Sequence, residues 1–171
     1  MKKVFVGGSR SLGMAFPQVV GDWLDDVRAR EGHFLVGDAP GVDATVQTYL
    51  RLFAYPHAAV YHSSPTPRHH AKAYPAHYVA PPEGVSPKER RFQTAKDKAM
   101  AREADAGIMV WDGRSVGTLM NVYRLAQQGK PCLLWDAAAF EARSFTGLED
   151  WTLFAQILPD RVRVQVEADG L

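Results

Sequence analysis

Three glycine-rich stretches carry the residues best suited to chemistry. They are Gly7-Gly8-Ser9-Arg10-Ser11-Leu12-Gly13, Gly37-Asp38-Ala39-Pro40-Gly41-Val42-Asp43 and Asp112-Gly113-Arg114-Ser115-Val116-Gly117-Thr118. Glycine lets a backbone approach a ligand closely, and free amides at a helix start attract an anion. Ser9, Ser11, Ser115 and Thr118 add hydroxyl donors, while Arg10 and Arg114 offer forked contacts to phosphate. A single glycine after a strand is ordinary turn geometry; three such turns on one rim of a sheet make a stronger case. The spacing of Gly7, Gly8 and Gly13 is not the G-x-G-x-x-G dinucleotide fingerprint, and there is no P-loop Lys-Ser/Thr pair. Hydride transfer and ATP hydrolysis therefore lose their strongest sequence support.

Short apolar strands must position these turns. Val4-Phe5-Val6, Phe34-Leu35-Val36, Ala58 to Tyr61, Ile108-Met109-Val110-Trp111 and Cys132-Leu133-Leu134-Trp135 are continuous apolar runs, as expected of strands buried on both faces. Helical periodicity separates them. Val19, Val20, Trp23, Leu24 and Val27 follow Pro17 and stop at Gly32; Val42, Val46, Tyr49, Leu50 and Phe53 share a face; Lys88 to Glu103 and Leu119 to Gln128 complete the set. Strands alternating with helices predict a Rossmann-like α/β three-layer sandwich around a mostly parallel sheet, in a single domain over residues 1–171. Leu148 to Leu158 reads as a further helix. Arg161 to Val166 alternates charge with valine and reads as an edge strand.

Residues 62–87 interrupt this pattern as a Pro/His-rich loop insertion. Pro65, Pro67, Pro75, Pro81, Pro82 and Pro87 forbid a regular helix or central strand there. The nearby His57, His62, His69, His70 and His77 fit no compact metal-ligand spacing and read as solvated loop residues, so no metal is expected. Arg68, His69, His70 and Lys72 suggest a basic lid over a phosphate. The lone Cys132 excludes a disulfide framework and reads as an inert core residue. With 20 Lys+Arg against 19 Asp+Glu, the 171-residue chain lacks the basic surplus of a nucleic-acid coat or a membrane-surface protein. Neither a membrane-length apolar run nor a signal-peptide core is visible, which makes the cytoplasm the expected location.

These motifs, together with Lys96-Asp97-Lys98-Ala99-Met100, resemble the SLOG superfamily, and within it the YspA-like branch of the DUF2493 type. The resemblance runs from about Val4 to Trp135, with the motifs in the family's order. It implies a nucleotide-binding pocket in a homo-dimer or homo-tetramer. Gly8, Ser9 and Arg10 match the first phosphate-side turn. Gly37, Gly41 and Asp43 match the second motif, whose acidic residue would hold a sugar hydroxyl or fix the loop. Gly113, Ser115, Gly117 and Thr118 match the phosphate cradle of the LOG phosphoribohydrolases. Those enzymes carry a glutamate three residues after the Gly-Thr pair, where this chain has Asn121, and an arginine on the preceding helix, for which Arg91 and Arg102 are the candidates.

An amide cannot replace a carboxylate in glycosidic cleavage, either in stabilising an oxocarbenium-like centre or in activating water. Asn121 therefore favours binding of a phosphorylated nucleoside or ADP-ribose-like ligand, as a sensor or carrier, with no separate cofactor. Phosphoribohydrolysis stays open because Asp43, Asp97 and Asp112 are alternative carboxylates at or near the rim. Lys96 and Asp97 have a plainer reading as a solvated helix face, and Asp112 as the cap of its own turn. DprA-like binding of single-stranded DNA is a third possibility, which the near-neutral charge disfavours.

Overall fold

In a computed structural model, which describes residues 1–13 and 15–170, the elements follow the order β1 (Lys3–Gly8), α1 (Gln18–Ala29), β2 (His33–Gly37), α2 (Val42–Leu52), β3 (Ala58–His62), β4 (Ala76–Tyr78), α3 (Arg90–Glu103), β5 (Ala106–Trp111), α4 (Val116–Gln127), β6 (Cys132–Asp136), β7 (Glu141–Phe145), α5 (Leu148–Ala155) and α6 (Asp160–Gly170). One seven-stranded sheet, ordered β4-β3-β2-β1-β5-β6-β7, runs through the molecule; only β7 is antiparallel to its neighbour.

Strand periodicity divides the core into two layers. Val4 and Val6 of β1 turn to the face covered by α1 and α2, where Val20, Leu24, Val42, Val46 and Leu50 are buried. Phe5 between them turns to the opposite face, into the cluster that also holds Met100 of α3, Leu119 of α4, Trp151 of α5 and Val166 of α6. The architecture is thus the three-layer α/β sandwich that the alternating pattern implies.

The chain builds β1 to β4 on one side of the sheet and then returns to place β5 on the other side of β1. Such a reversal leaves a crevice beyond the carboxyl ends of the two central strands, because their following turns diverge to opposite sides.

Several boundaries differ from the sequence reading, each for a physical reason. Arg161 to Val166 lies within α6 and is not an edge strand. Val162 and Val166, four residues apart, pack toward the core, with Val166 fully buried, while Val164 is 58% exposed; an every-second-residue valine pattern contains a helical pair as well as a strand face. Helix α4 begins at Val116, so Gly117 and Thr118 stand in its first turn and not in the preceding loop. The proline-rich stretch contributes β4, a three-residue edge strand following Pro75, a position where a missing amide costs no ladder bond. Strand β7, mostly exposed and charged, has too little apolar content to announce itself.

No helix among the described residues is long and apolar enough to cross a membrane. Cys132 is buried beside Gly107, and burial pushes its thiol pKa up, consistent with an inert core residue.

Candidate functional site

A cleft of about 750 Å³ opens at the carboxyl ends of β1 and β5. Gly7, Gly8, Ser9, Arg10 and Ser11 line one side; Asp112, Ser115, Gly117, Thr118 and Asn121 line another; Asp43, Lys96 and Asp97 also contribute. Phe5 and Met100 supply apolar surface.

Hydroxyl contacts knit the first and third loops together. Ser9, almost fully buried, has its Oγ 2.6 Å from Ser115 Oγ and 3.4 Å from Thr118 Oγ1, and accepts from the Asp112 amide at 3.0 Å. Ser115 and Thr118 are linked at 2.8 Å. These hydroxyls are thus an assembled cluster beside the α4 N-terminus, where no side chain among the described residues caps the helix. Amides at an uncapped helix start retain their donor capacity and the positive end of the helix dipole. Gly117 is exposed at that turn, and a Cβ added there would meet nothing within 4 Å.

Asp112 clamps its own loop. Its carboxylate accepts from the Arg114 and Ser115 amides at 2.8 and 2.7 Å and from Ser11 Oγ at 2.7 Å. Partial burial opposes ionisation, yet these donors hold its pKa below the ordinary carboxylate value. An acid held ionised and saturated in this way is suited to fixing backbone and poorly suited to donating a proton.

The second loop forms a support under the first. Gly41 has φ 83°, and a Cβ there would lie 2.5 Å from the Arg10 carbonyl oxygen; the adjacent Val42 amide donates to Ser9 O at 3.3 Å. Close loop contact and left-handed backbone both require glycine at this point. Gly37 lies beneath the carboxylate of Asp43, Gly113 turns toward Ala138, and Arg114 is exposed; none of these, nor Gly41, lines the cleft. The forked phosphate contact expected of Arg114 therefore has no counterpart in the cleft wall, whereas Arg10 stands in it.

Lys96 is not on a solvated face. It is 4% exposed, donates from Nζ to Asp97 Oδ1 at 2.7 Å and lies close to Asp43. Burial works against its charge, but Asp97 and Asp43 hold its pKa above the ordinary lysine value. Asp43 is buried, accepts from the Ala39 amide at 3.1 Å, and is pushed up to about 6 by burial, with Lys96 opposing that shift. Of the pair joined at 2.7 Å, Asp97 is the more open to the cleft, with its side chain 22% exposed.

Asn121 is buried in the cleft wall, and its Oδ1 accepts from the buried Arg124 at 2.6 Å. Arg91 and Arg102, the arginines expected to approach the site, are exposed and stand outside its lining; Arg90 lines it instead and is bound to Asp169 at 2.7 Å.

The Pro/His-rich segment is tied to the second loop by an Asp38–Arg68 pair and by Gln47, a residue that the sequence analysis did not single out. Asp38, fully buried, accepts from the Arg68 amide at 2.9 Å and pairs with its guanidinium at 2.6 Å. Burial opposes its charge, yet these bonds hold the Asp38 pKa below the ordinary value. Gln47 donates to Gly37 O at 3.0 Å and to His69 O at 3.2 Å, and accepts from the Ala71 amide at 2.7 Å. A glutamine on the apolar face of α2 was the available signal, since a buried amide needs partners.

Arg68 reaches the cleft, but His69, His70 and Lys72 do not line it. His62 is buried against Ser64 O and His70 is half-buried with a ring nitrogen at Tyr74 O, so these two rings are packed, whereas His69 and His77, the latter stacked on Tyr61, are exposed as expected. Among the described residues no group of three His, Cys, Asp or Glu side chains is arranged to hold a metal ion.

No protein-family model and no curated protein matches the chain significantly. Among solved structures, DNA processing protein A from Helicobacter pylori, described for its single-stranded DNA binding mode, is similar over 98% of this chain and 79% of its own, with a TM-score of 0.56 and 19% identity. The two share a fold. At this level of identity the likeness extends to the Rossmann-like architecture alone.

Proposed function

We propose that this protein binds a phosphorylated nucleoside or ADP-ribose-like ligand in the β1–β5 cleft, with phosphate at the N-terminus of α4, and acts as a sensor or carrier. The observation that carries the reading is the uncapped first turn of α4 beside the Ser9–Ser115–Thr118 hydroxyl cluster, open to a cleft large enough for such a ligand. Arg10 adds a cation at the same rim. The motif resemblance to SLOG-type nucleotide sites supports this assignment.

Glycosidic cleavage is the weaker reading. Asn121 is an amide engaged by Arg124, Asp112 is held by Ser11 and the amides of its own turn, Asp97 is paired with Lys96, and Asp43 is buried beside Lys96. A carboxylate poised for acid–base work needs a proton to exchange and room to reach the substrate.

The shared fold with a DNA-binding protein favours a second reading, in which the cleft holds single-stranded DNA. The charge of the walls opposes it. Arg10, Arg68, Lys88, Arg90 and Lys96 face Asp43, Glu89, Asp97 and Asp112, a near balance that suits a small bipolar ligand better than a polyanion.

Calorimetric titration with ADP-ribose, nucleoside 5′-monophosphates and oligodeoxynucleotides, combined with chromatography for released base, separates these readings. Saturable nucleotide binding without base release is expected. Base release would favour the hydrolase. Oligonucleotide binding that weakens steeply with salt, with no mononucleotide binding, would overturn the proposal in favour of DNA.

A further inference from the structure

The cleft is chemically two-ended. Toward α4 it presents donors, the first-turn amides and the hydroxyl cluster. Toward α3 its unused capacity is for accepting. Asp97 Oδ1 is occupied by Lys96, and among the described residues no protein group donates to Oδ2. Burial and the flanking carboxylate of Asp43 immobilise Lys96, which in turn fixes the direction of the Asp97 carboxylate.

Gln93 stands one helical turn before Asp97 on the same face of α3 and also lines the cleft. Its Nε2 is 3.3 Å from Ser64 Oγ, whereas its Oε1 is buried with no partner. An unsatisfied buried amide oxygen is costly, and a turn about the terminal torsion is the soft motion that would bring it to a donor. The nearby Thr94 hydroxyl offers no competing donor, because its hydrogen goes to Arg90 O at 2.9 Å.

Two acceptors one helical turn apart, opposite an anion-binding helix start, suit a ligand with a phosphate at one end and two neighbouring hydroxyl donors at the other. We propose that Asp97 and Gln93 read the 2′- and 3′-hydroxyls of a ribose whose phosphate lies at α4, so that the protein selects ribonucleotides over their 2′-deoxy counterparts. This selectivity rests on the nucleotide reading of the cleft and adds a sugar specificity to it.

The test compares wild-type affinity for each nucleoside 5′-monophosphate with that for its 2′-deoxy form, matched in base, by calorimetry at constant salt. A hydrogen bond to a charged acceptor corresponds to about tenfold or more in affinity, so at least about a tenfold preference for the ribo form is expected. Of Asp97→Asn and Gln93→Leu, the variant that loses the acceptor of the 2′-hydroxyl should narrow that preference, and the other should narrow the matching preference over the 3′-deoxy form, with melting curves establishing that each variant is folded. If Asp97→Asn does not fold, the wild-type comparison and Gln93→Leu still decide. Equal affinity for ribo and deoxy forms overturns the sugar reading while leaving nucleotide binding intact; binding of neither form overturns both.

Discussion

Replacing Gly117 with valine separates the phosphate site from the fold. Position 117 is in the first turn of α4, exposed, at the cleft, with open space where a Cβ would project. The new Cβ therefore meets no steric obstacle, and the substitution recovers a few tenths of the roughly 1 kcal/mol that glycine costs in a helix. Thermal stability should be unchanged or slightly raised. Binding should respond in the opposite direction, because the isopropyl group occupies the approach to the Val116, Gly117 and Thr118 amides. Each hydrogen bond to a charged phosphate is worth about 1.5–3 kcal/mol, so losing two weakens affinity by roughly 10²- to 10⁴-fold. Parallel melting curves and titrations with AMP and ADP-ribose read both quantities. A folded Gly117→Val protein that binds with unchanged affinity refutes the placement of phosphate at α4.

Gly8→Ala is the steric contrast: its Cβ would stand 2.3 Å from Val110 O on the neighbouring strand, so a stability loss of about 1–3 kcal/mol is expected in denaturant titration, and a neutral result would contradict the close β1–β5 approach. Arg68→Ala strands the buried Asp38 carboxylate and should cost about 3 kcal/mol, with Asp38→Asn in the same chain restoring part of it; additive losses in that double-mutant cycle would show that the pair is not coupled. Asp43, with an ordinary value of 3.8 and a folded value of about 6, keeps a proton that the unfolded chain releases. Its contribution to stability therefore falls as pH rises through that window and is least above about pH 6. Carbon-detected NMR titration of the side-chain carboxyl should find that raised midpoint, and a midpoint in the ordinary aspartate range would refute it.

Alternation of apolar runs with helical periodicity made the α/β class and the central strands legible in the sequence, since burial on both faces demands continuous apolar residues. The glycine-rich turns were legible for a similar reason: strands that run parallel place the turns at their carboxyl ends on one rim. Residues 161–166 were misread because valines at 162, 164 and 166 satisfy a strand period, while the partner that makes residues 162 and 166 a helical pair comes from the distant layer containing α4 and α5.

Which side chain does what was decided only by the tertiary structure. Lys96 and Asp97 sit among charges in the chain, and nothing local says that Lys96 is buried against Asp43, a residue from another element. Asp112 and Asp97 are the same residue type near the same rim, yet both oxygens of one are held by Ser11 and its own turn, while the other faces the cleft with an oxygen free of protein donors among the described residues. Local sequence determines period and turn chemistry because those depend on near neighbours. The exposure, charge state and free hydrogen-bonding capacity of a side chain depend on residues brought together from β1, α2, α3 and α4, and only the folded chain assembles that environment.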